Sequence, residues 1–311
     1  MAPTRVIIDT DPGVDDAVAI MLALASPELE VLALTTVVGN VELEKTTLNA
    51  RRLLTLAGRS DVLVGRGCAT PIGGASGTAA EVHGQDGLGD LAWPEPSVQE
   101  SSEDAIEMIY RLAQEAPLTL VAIGPLTNIA TLLQKHPDVV TSIERVVIMG
   151  GASFEGNVTA AAEFNIWVDP EAAEIVFAGA WKLDIMPLDL THQAFLNDDD
   201  LNFLRGLDSE VGDRLAAMLE PYAKFHEEWV GNRDLIMHDA MAVYEVIDPT
   251  AIQKDGVKAD VETSGVHSRG ATWFTRSFHH AESSTRVGVA VHNASFVKLL
   301  RERLATYPAK N

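Results

Sequence analysis

The stretch covering residues 6–20 constrains the fold of this chain more than any other part of it. Residues 6–8 form an apolar, β-branched run that is typical of a buried strand, and Pro12 followed by Gly13 is typical of a tight turn. From Asp15 onward apolar residues recur with few breakers, which predicts a helix. The unit is therefore strand, turn and helix, the element from which α/β folds are built.

Four aspartates lie within the eight residues 9–16 of this unit: Asp9, Asp11, Asp15 and Asp16. One alternative is that Asp15 and Asp16 only cap the helix and that Asp11 is a solvated loop acid, although capping needs a single acid. Carboxylates crowded at the carboxyl end of a strand repel each other unless a cation lies among them. Hard oxygen ligands favour Ca²⁺ or Mg²⁺, and ligands bind at this edge of open α/β sheets.

Strand and helix patterns alternate through the first two thirds of the chain. We predict strands at residues 31–38, 61–64, 118–123, 143–149 and 182–186. We predict helices at residues 42–56, 102–114, 126–134 and 170–177, with Ser102 as the N-cap of the second, and a long Gly-rich loop at residues 68–90. This rhythm implies an α/β fold with a mostly parallel, Rossmann-like central sheet flanked by helices.

The last third of the chain is more helical. We predict helices at residues 201–205, 211–230, 237–246 and 294–304, and late edge strands at residues 252–261 and 286–291. Since the sequence contains no linker, repeat or low-complexity tract, we predict a single domain covering residues 1–311.

Composition excludes several classes of function. A formal net charge of −22 argues against binding to nucleic acids or to anionic membrane surfaces. No apolar run reaches the length of a membrane span, and the first residues lack the apolar core of a signal peptide, which predicts a cytoplasmic protein. The single cysteine, Cys68, excludes an intramolecular disulfide framework and a cysteine-based metal site.

Residues 9–17, with the sequence DTDPGVDDA, closely resemble the signature of the inosine-uridine preferring nucleoside hydrolases. Four later segments follow the family pattern in order and spacing: GPLTN at 124–128, MGG at 149–151, AEFN at 162–165 and HDA at 238–240. The resemblance implies an enzyme that hydrolyses the N-glycosidic bond of ribonucleosides, giving ribose and free base for salvage or catabolism. It also implies a homodimer or a homotetramer, without choosing between them.

The same resemblance implies a metal site. It assigns one Ca²⁺ per subunit to the carboxylates of Asp11, Asp16 and Asp239 and to the backbone carbonyl of Thr127, with the sugar diol and waters completing the shell. Asp11 is also the implied general base for the attacking water, and Asp9 is expected to orient Asp11 or its neighbours.

Further residues are implied to bind the substrate. Breaking an N-glycosidic bond passes through an oxocarbenium-like cation, which a carboxylate-rich pocket stabilises. The resemblance makes Met149 a packing residue beneath the sugar. With Met149, the implied sugar-side residues are Asp15, Asn40, Asn157, Glu163, Phe164 and Asn165.

Histidines are the candidates for the leaving-group chemistry. His238 suits proton donation to the departing base because the unperturbed pKa of histidine is about 6.5, and His83 is a second residue expected to contact the base. In the family that the chain resembles, purine-specific members tend to stack aromatic rings on the leaving base in place of this histidine. The resemblance therefore implies a broad or pyrimidine-accepting enzyme. Tyr222, His226 and Trp229 share one helix face, and their spacing leaves open whether they close over the base or only pack.

Two other functions fit parts of the sequence. Asp9 and Asp11 resemble the aspartyl pair of a haloacid-dehalogenase-type phosphatase, but the lysine and the later acidic loop that this chemistry needs do not appear in a suitable context. A non-catalytic nucleoside- or ribose-binding protein would keep the pocket, but the presence of Asp11, His238 and Asp239 argues against it.

Overall fold

The structure is a computed structural model that describes residues 2–73, 77–276 and 283–310, except the side chains of residues 229 and 230. Its strands are β1 (Thr4–Thr10), β2 (Leu29–Thr36), β3 (Leu63–Arg66), β4 (Leu118–Ala122), β5 (Ile143–Met149), β6 (Leu183–Met186), β7 (Phe195–Leu196), β8 (Leu235–Ile236), β9 (Ile252–Gly256), β10 (Lys258–Val261), β11 (Thr272–Thr275) and β12 (Thr285–Val291). Its α-helices are α1 (Val14–Leu24), α2 (Leu43–Leu56), α3 (Ala80–His83), α4 (Ala105–Glu115), α5 (Thr127–Lys135), α6 (Phe164–Val168), α7 (Pro170–Phe177), α8 (Leu188–Thr191), α9 (Asp198–Gly206), α10 (Glu210–Val230), α11 (Ala240–Ile247) and α12 (Asn293–Leu304).

Eight strands form one sheet in the order β3-β2-β1-β4-β5-β6-β12-β9. Neighbouring strands are parallel, except that β12 and β9 are antiparallel. Two small antiparallel sheets, β7 with β8 and β10 with β11, lie outside it. The predicted mostly parallel, Rossmann-like sheet is therefore confirmed.

Strand β1 lies between β2 and β4, and both of its faces are buried. Val6 and Ile8 belong to the hydrophobic cluster that contains apolar residues of α1, α10, α11 and α12. Ile7 points into the opposite cluster, which contains apolar residues of α4, α5 and α7. Because helices cover both faces, β1 needs apolar side chains at consecutive positions, which explains the unbroken run in the sequence.

The register of the sheet brings the carboxyl ends of its central strands to one edge. Asp9 of β1 pairs with Thr35 of β2 and with Ala122 of β4. The turn after β1 carries Asp11, the turn after β2 carries Asn40, and the turn after β4 leads into α5. This edge of the sheet therefore gathers the polar residues that the sequence places after each strand.

Four local predictions are wrong. Asp104, rather than Ser102, caps α4, because its carboxylate accepts hydrogen bonds from the amides of Ile106 and Glu107. The strand predicted at 252–261 is broken at Val257: β9 joins the main sheet and β10 pairs with β11 instead.

The strand predicted at 286–291 is not at an edge, since β12 lies between β6 and β9. The helix predicted from residue 237 begins at Ala240, because the chain first forms the short strand β8 and a turn. Helices α9 to α12 confirm the more helical last third. Among the described residues, no helix has both the length and the apolar character that spanning a membrane requires.

A buried network of charges fixes α11 to the sheet. Glu245 of α11 is fully buried and contacts Lys254 Nζ at 2.6 Å and Arg145 Nη1 at 3.2 Å. The same Arg145 nitrogen lies 3.3 Å from Asp184 of β6, which Arg286 of β12 also contacts. Since α11 begins directly after Asp239, this network also fixes one wall of the polar edge.

We expect Glu245→Ala to lower the free energy of unfolding by roughly 3 kcal/mol, because it leaves the buried Lys254 ammonium without its carboxylate. Glu103→Ala removes a partly exposed pair with Arg111 and should cost less than about 1 kcal/mol. Urea unfolding of both variants measures the difference. Equal losses would show that the buried network contributes no more than a surface pair.

Candidate active site

Asp11 lies in the turn after β1, enclosed by two neighbouring loops. Its Oδ2 accepts a hydrogen bond from the backbone N–H of Asn40 at 2.7 Å, whereas its buried Oδ1 has no hydrogen-bond partner. A Cβ atom on Gly39 would overlap Oδ2, and one on Gly124 would lie 2.6 Å from Oδ1. The two loops therefore need glycine in order to close around this carboxylate, and one of its oxygens stays available to a ligand.

Asp16, in the first turn of α1, is held by three donors. Its Oδ1 accepts from the hydroxyl of Thr10 at 2.5 Å, and its Oδ2 accepts from the amide of Gly13 at 2.9 Å and from Asn40 Nδ2 at 3.1 Å. The alternative in which an aspartate caps the helix is thus correct for the bond to Gly13. Capping accounts for one contact of one acid, and the other acids need another explanation.

Asp15, Asp16 and Asp239 form a buried cluster. One carboxylate oxygen from each lies within 4.8 Å of the other two, a spacing that suits a shared metal ion. Asp11 is not one of these three, but the charges of Asp16 and Asp15 both act on it. The cluster therefore contains two of the three predicted carboxylate ligands, Asp16 and Asp239, and adds Asp15, which the sequence assigned to the sugar.

The four acids have perturbed pKa values. Burial, followed by repulsion from neighbouring carboxylates, raises the pKa of Asp11 and of Asp239 well above the ordinary value. The same causes raise the pKa of Asp15 to about 8, and burial raises the pKa of Asp16. Removing carboxylates from water favours their neutral form, and a cation at this point would favour the charged form.

Asp9 is fully buried near the carboxyl end of β1, two residues before Asp11. Its Oδ1 accepts hydrogen bonds from the hydroxyl of Thr35 at 2.5 Å and from Asn128 Nδ2 at 2.8 Å. Burial raises the pKa of Asp9 to about 7. These bonds tie β1 to β2 and to α5, so Asp9 positions the backbone from which Asp11 extends.

Thr127 begins α5 close to the acids. Its hydroxyl donates to Asp169 Oδ2 at 2.6 Å, and its carbonyl oxygen accepts from the hydroxyl of Thr131 at 2.7 Å. Gly124, three residues earlier, closes over Asp11. Thr127 therefore directly follows the loop that borders Asp11, and the role of its carbonyl as a metal ligand stays a prediction.

A cavity of about 320 Å³ opens onto the cluster. It has the size of a small-molecule site. Of the sequence-predicted residues, those that line it are Asp15, Asn40, His83, Met149, Asn157, Glu163, Phe164, Asn165, His238 and Asp239. Neither lysine nor arginine is among its described lining residues.

Glu163 and Asn165, at the start of α6, form one wall of the cavity together with Met149 at the end of β5. This wall is called the sugar wall below. The Glu163 carboxylate accepts hydrogen bonds from the backbone amides of Asn165, Gly151 and Ile166 at 2.9 to 3.1 Å. Asn165 Nδ2 donates to the carbonyl oxygens of Ile123 at 3.0 Å and Met149 at 3.2 Å. Burial raises the pKa of Glu163 to about 7, despite the amides that lower it. Both side chains are therefore held rigidly before a ligand enters.

The other predicted residues of this wall differ in exposure. Met149 is buried at the end of β5, which suits packing beneath a sugar. Asn157 is exposed, and its Oδ1 accepts a hydrogen bond from the amide of Phe164 at 2.9 Å. Phe164 is half-buried and lies beside Trp167, with ring centroids 6.4 Å apart.

His83 reaches the cavity from the last residue of the short helix α3, where the Gly-rich loop continues. Its Nδ1 accepts a hydrogen bond from the amide of Val14 at 3.1 Å, so the proton of the neutral ring lies on Nε2. Burial lowers the pKa of His83 to about 4. At neutral pH this histidine is therefore an uncharged donor of one N–H group.

His238 directly precedes Asp239 in the sequence and lines the same cavity. Its Nδ1 lies 2.8 Å from the hydroxyl of Thr191, and its ring meets the edge of His192 with centroids 5.6 Å apart. Burial, then the charges of His192 and other histidines, lower the pKa of His238 well below its ordinary value. The sequence argument used the unperturbed pKa, and the free chain instead holds a neutral imidazole.

Two of the three residues on the late helix lie behind the cavity. Tyr222 is buried, with its ring stacked on His83 at a centroid distance of 6.3 Å, and His226 meets the ring of Tyr222 edge-on at 4.7 Å. Tyr222 therefore supports His83 and His226 supports Tyr222, and neither is among the described residues that line the cavity. The predicted side chain of Trp229 lies outside the described residues.

Sequence reasoning missed several residues of the cavity wall. Trp167 lies two residues beyond Asn165, and Glu81 lies two residues before His83. Their proximity in sequence to predicted site residues was the available signal. Neither belongs to a motif, so only the folded loops show that they face the same cavity.

The comparisons with known proteins agree with this geometry. The family model for the inosine-uridine preferring nucleoside hydrolases matches residues 6–298. The pyrimidine-specific ribonucleoside hydrolase RihA of Photobacterium profundum is 40% identical over 97% of this chain and 99% of its own length. RihA of Salmonella typhimurium is 41% identical over 97% of this chain and 98% of its own length.

Solved structures show the same fold. The plant nucleoside hydrolase PpNRh1 matches with a TM-score of 0.91 and 36% identity, over 98% of this chain and 99% of its own. The purine-preferring ribonucleoside hydrolase of Gardnerella vaginalis matches with a TM-score of 0.91 and 32% identity, over 97% and 98% of the two chains.

The phosphatase alternative is wrong, since the family match covers nearly the whole chain and the cavity wall offers no described cationic side chain for a phosphate. The reading as a non-catalytic binder is also wrong, because the similar proteins are hydrolases. The acidic turn (residues 11–16), the sugar wall and the two cavity histidines, His83 and His238, occur together in one chain. Its fold matches the solved nucleoside hydrolases over nearly its whole length. The chain belongs to the inosine-uridine preferring nucleoside hydrolases and is a ribonucleoside hydrolase.

Proposed function

We propose that this enzyme hydrolyses pyrimidine ribonucleosides with the help of one Ca²⁺ per chain, giving ribose and the free base. The observation that carries the proposal is the buried cluster of Asp15, Asp16 and Asp239 at a cavity of about 320 Å³, beside the unpartnered Oδ1 of Asp11. A cation site and a sugar-sized space therefore adjoin each other.

The residues present fit a calcium ion. Carboxylates are the hard donors that Ca²⁺ prefers, and Asp11 Oδ1 is buried without any partner of its own. Asp11, Asp16, Asp239 and the carbonyl of Thr127 would hold the ion, with Asp15 close enough to share it or the sugar. When bound, the ion would orient the ribose hydroxyls and lower the pKa of a water molecule.

The chain's own residues then bind and polarise the substrate. Asn40, Asn165 and Glu163 offer fixed polar atoms for the sugar hydroxyls. The carboxylates around the sugar stabilise the positive charge that develops on the ribosyl ring as the glycosidic bond breaks. Asp11 takes the proton of the attacking water.

The departing base takes the bonding electrons and needs N–H donors. His83 carries its proton on Nε2, and His238 is the second imidazole on the cavity wall. Because the pKa of both rings is lowered, we assign them hydrogen-bond donation to the leaving base rather than transfer from a permanently charged imidazolium.

A preference for pyrimidine bases is supported by the two RihA relatives near 40% identity, both described as pyrimidine-specific. The two histidines on the cavity wall agree with this, since they offer polar contacts to a small base. Assembly as a homodimer or homotetramer and a cytoplasmic location stay predictions from the sequence.

Removing the metal should abolish activity. We expect exhaustive chelation to stop uridine hydrolysis and added Ca²⁺ to restore it, because the crowded carboxylates lose the cation that keeps them charged. Metal content measured alongside initial rates tests this. Full activity in a verified metal-free sample would contradict it.

The sugar hydroxyls should dominate specificity. We expect kcat/KM for uridine to exceed that for 2′-deoxyuridine by about three orders of magnitude or more, because a missing hydroxyl leaves buried polar groups unpaired. Inosine, measured in the same panel, should be a poorer substrate than uridine. Similar values for uridine and 2′-deoxyuridine would contradict the assigned sugar wall, and a better inosine would contradict the base preference.

Substitutions of the adjacent residues His238 and Asp239 should distinguish metal binding from leaving-group chemistry. We expect Asp239→Ala to weaken Ca²⁺ binding and to lower activity on every substrate. His238→Ala should leave Ca²⁺ bound and lower kcat for uridine by about two to three orders of magnitude, the usual effect of losing one donor to developing charge.

The control for His238→Ala is p-nitrophenyl riboside, whose leaving group departs as a stable anion and needs little help. Measuring kcat for both substrates, with Ca²⁺ occupancy checked, distinguishes the two roles. An equal loss on both substrates, or loss of Ca²⁺ from His238→Ala, would show that His238 is not a leaving-group residue.

A further inference from the structure

Asn49, a fully buried polar residue on α2, lies between the acidic turn and the loop that carries His83. Its Nδ2 donates two hydrogen bonds, to the carbonyl oxygen of Pro12 at 3.1 Å and to that of Asp86 at 2.7 Å. Both hydrogens of one amide group are therefore used to join two loops that the chain separates by more than seventy residues.

The surrounding groups hold this amide in place. Its Oδ1 accepts from Arg52 Nη1 at 3.2 Å, and the same nitrogen lies 3.7 Å from the Asp86 carboxylate. Gly87 packs directly on it with a φ of +85°, and a Cβ there would lie 2.8 Å from Asn49 Nδ2. The orientation of the amide is thus fixed, and the loop backbone is pressed against it.

The His83 loop, residues 83–90, behaves as one unit. The amide of Gly89 donates to the carbonyl of His83 at 2.8 Å, and the Asp86 carboxylate accepts from the amides of Leu88 at 2.8 Å and Asp90 at 2.9 Å. Fixing the carbonyl of Asp86 therefore fixes the position from which the His83 ring extends.

We propose that Asn49 is a positioning residue for the leaving-group side of the reaction: it holds the His83 loop at a set distance from the acidic turn. The inference rests on the proposed function, because it acts through the role given there to His83. The turn itself keeps other supports, including the bonds from Gly13 and Asn40 to Asp16. Loss of Asn49 should therefore displace His83 more than the acids.

The test uses Asn49→Asp, which keeps the shape of the side chain but replaces both N–H donors with an acceptor, together with Asn49→Ala. We expect each to lower kcat for uridine about ten- to hundredfold, the cost of a misplaced contact. Activity on p-nitrophenyl riboside should fall by less than about threefold, and Ca²⁺ affinity, from equilibrium dialysis, should change by less than about threefold.

Leu53→Ala, a buried apolar truncation one turn further along the same helix, leaves both Asn49 hydrogen bonds in place and is the matched control for simple destabilisation. Below its Tm it should keep wild-type kcat on both substrates. If Leu53→Ala also lowers kcat for uridine selectively, general loosening of α2 explains the effect and the inference is overturned.

A double-mutant cycle with His83→Ala decides whether Asn49 acts through His83. We expect Asn49→Ala to have almost no further effect on kcat in the His83→Ala background. A full additional loss there, no effect of His83→Ala alone, or loss of Ca²⁺ in Asn49→Ala would each overturn the inference. Failure of the proposed function is distinct, since the wild-type chain would then not hydrolyse uridine.

Discussion

The main constraint on this structure is the electrostatic cost of burying four carboxylates close together near the carboxyl end of β1. Asp11, Asp15, Asp16 and Asp239 have raised pKa values because they are withdrawn from water and lie close together. No described arginine or lysine lines the cavity beside them to offset their charge. Such an arrangement is stable in its charged form only with a cation or a cationic transition state in its midst, and the function proposed above uses both.

The remaining polar groups of the site are arranged as donors toward these acids and toward the sugar wall. Backbone amides donate hydrogen bonds to Glu163. The side-chain Nδ2 of Asn40 donates to Asp16, and the backbone N–H of Asn40 donates to Asp11. Donors of this kind cost little reorganisation when a ligand enters, because the strands and helix ends that carry them are fixed by two buried apolar clusters. The rigid sheet and the polar edge are therefore two consequences of one topology.

Much of the site could be predicted before the fold was known, because its parts are short motifs that resemble those of a known family. The acidic turn, Glu163 with Asn165, and His238 with Asp239 were all identified in this way, and the cavity gathers most of them. The placement of Tyr222 and His226 was not predictable, since helical spacing gives a shared face but not what that face contacts. The pKa of His238 was misjudged for a similar reason, because only folding buries its ring and brings three other histidines close to it.

The sequence by itself determined the α/β class, the order of the main strands and helices along the chain, and the family, because hydrophobic periodicity and contiguous motifs are local properties. Only the tertiary structure decided that β12 is an interior strand, that Asp15 joins Asp16 and Asp239 in one acidic cluster, and that Asn49 bridges Pro12 and Asp86. These are contacts between segments far apart in sequence. They depend on how strands register and how loops close against each other, and no local pattern of residues encodes such distances.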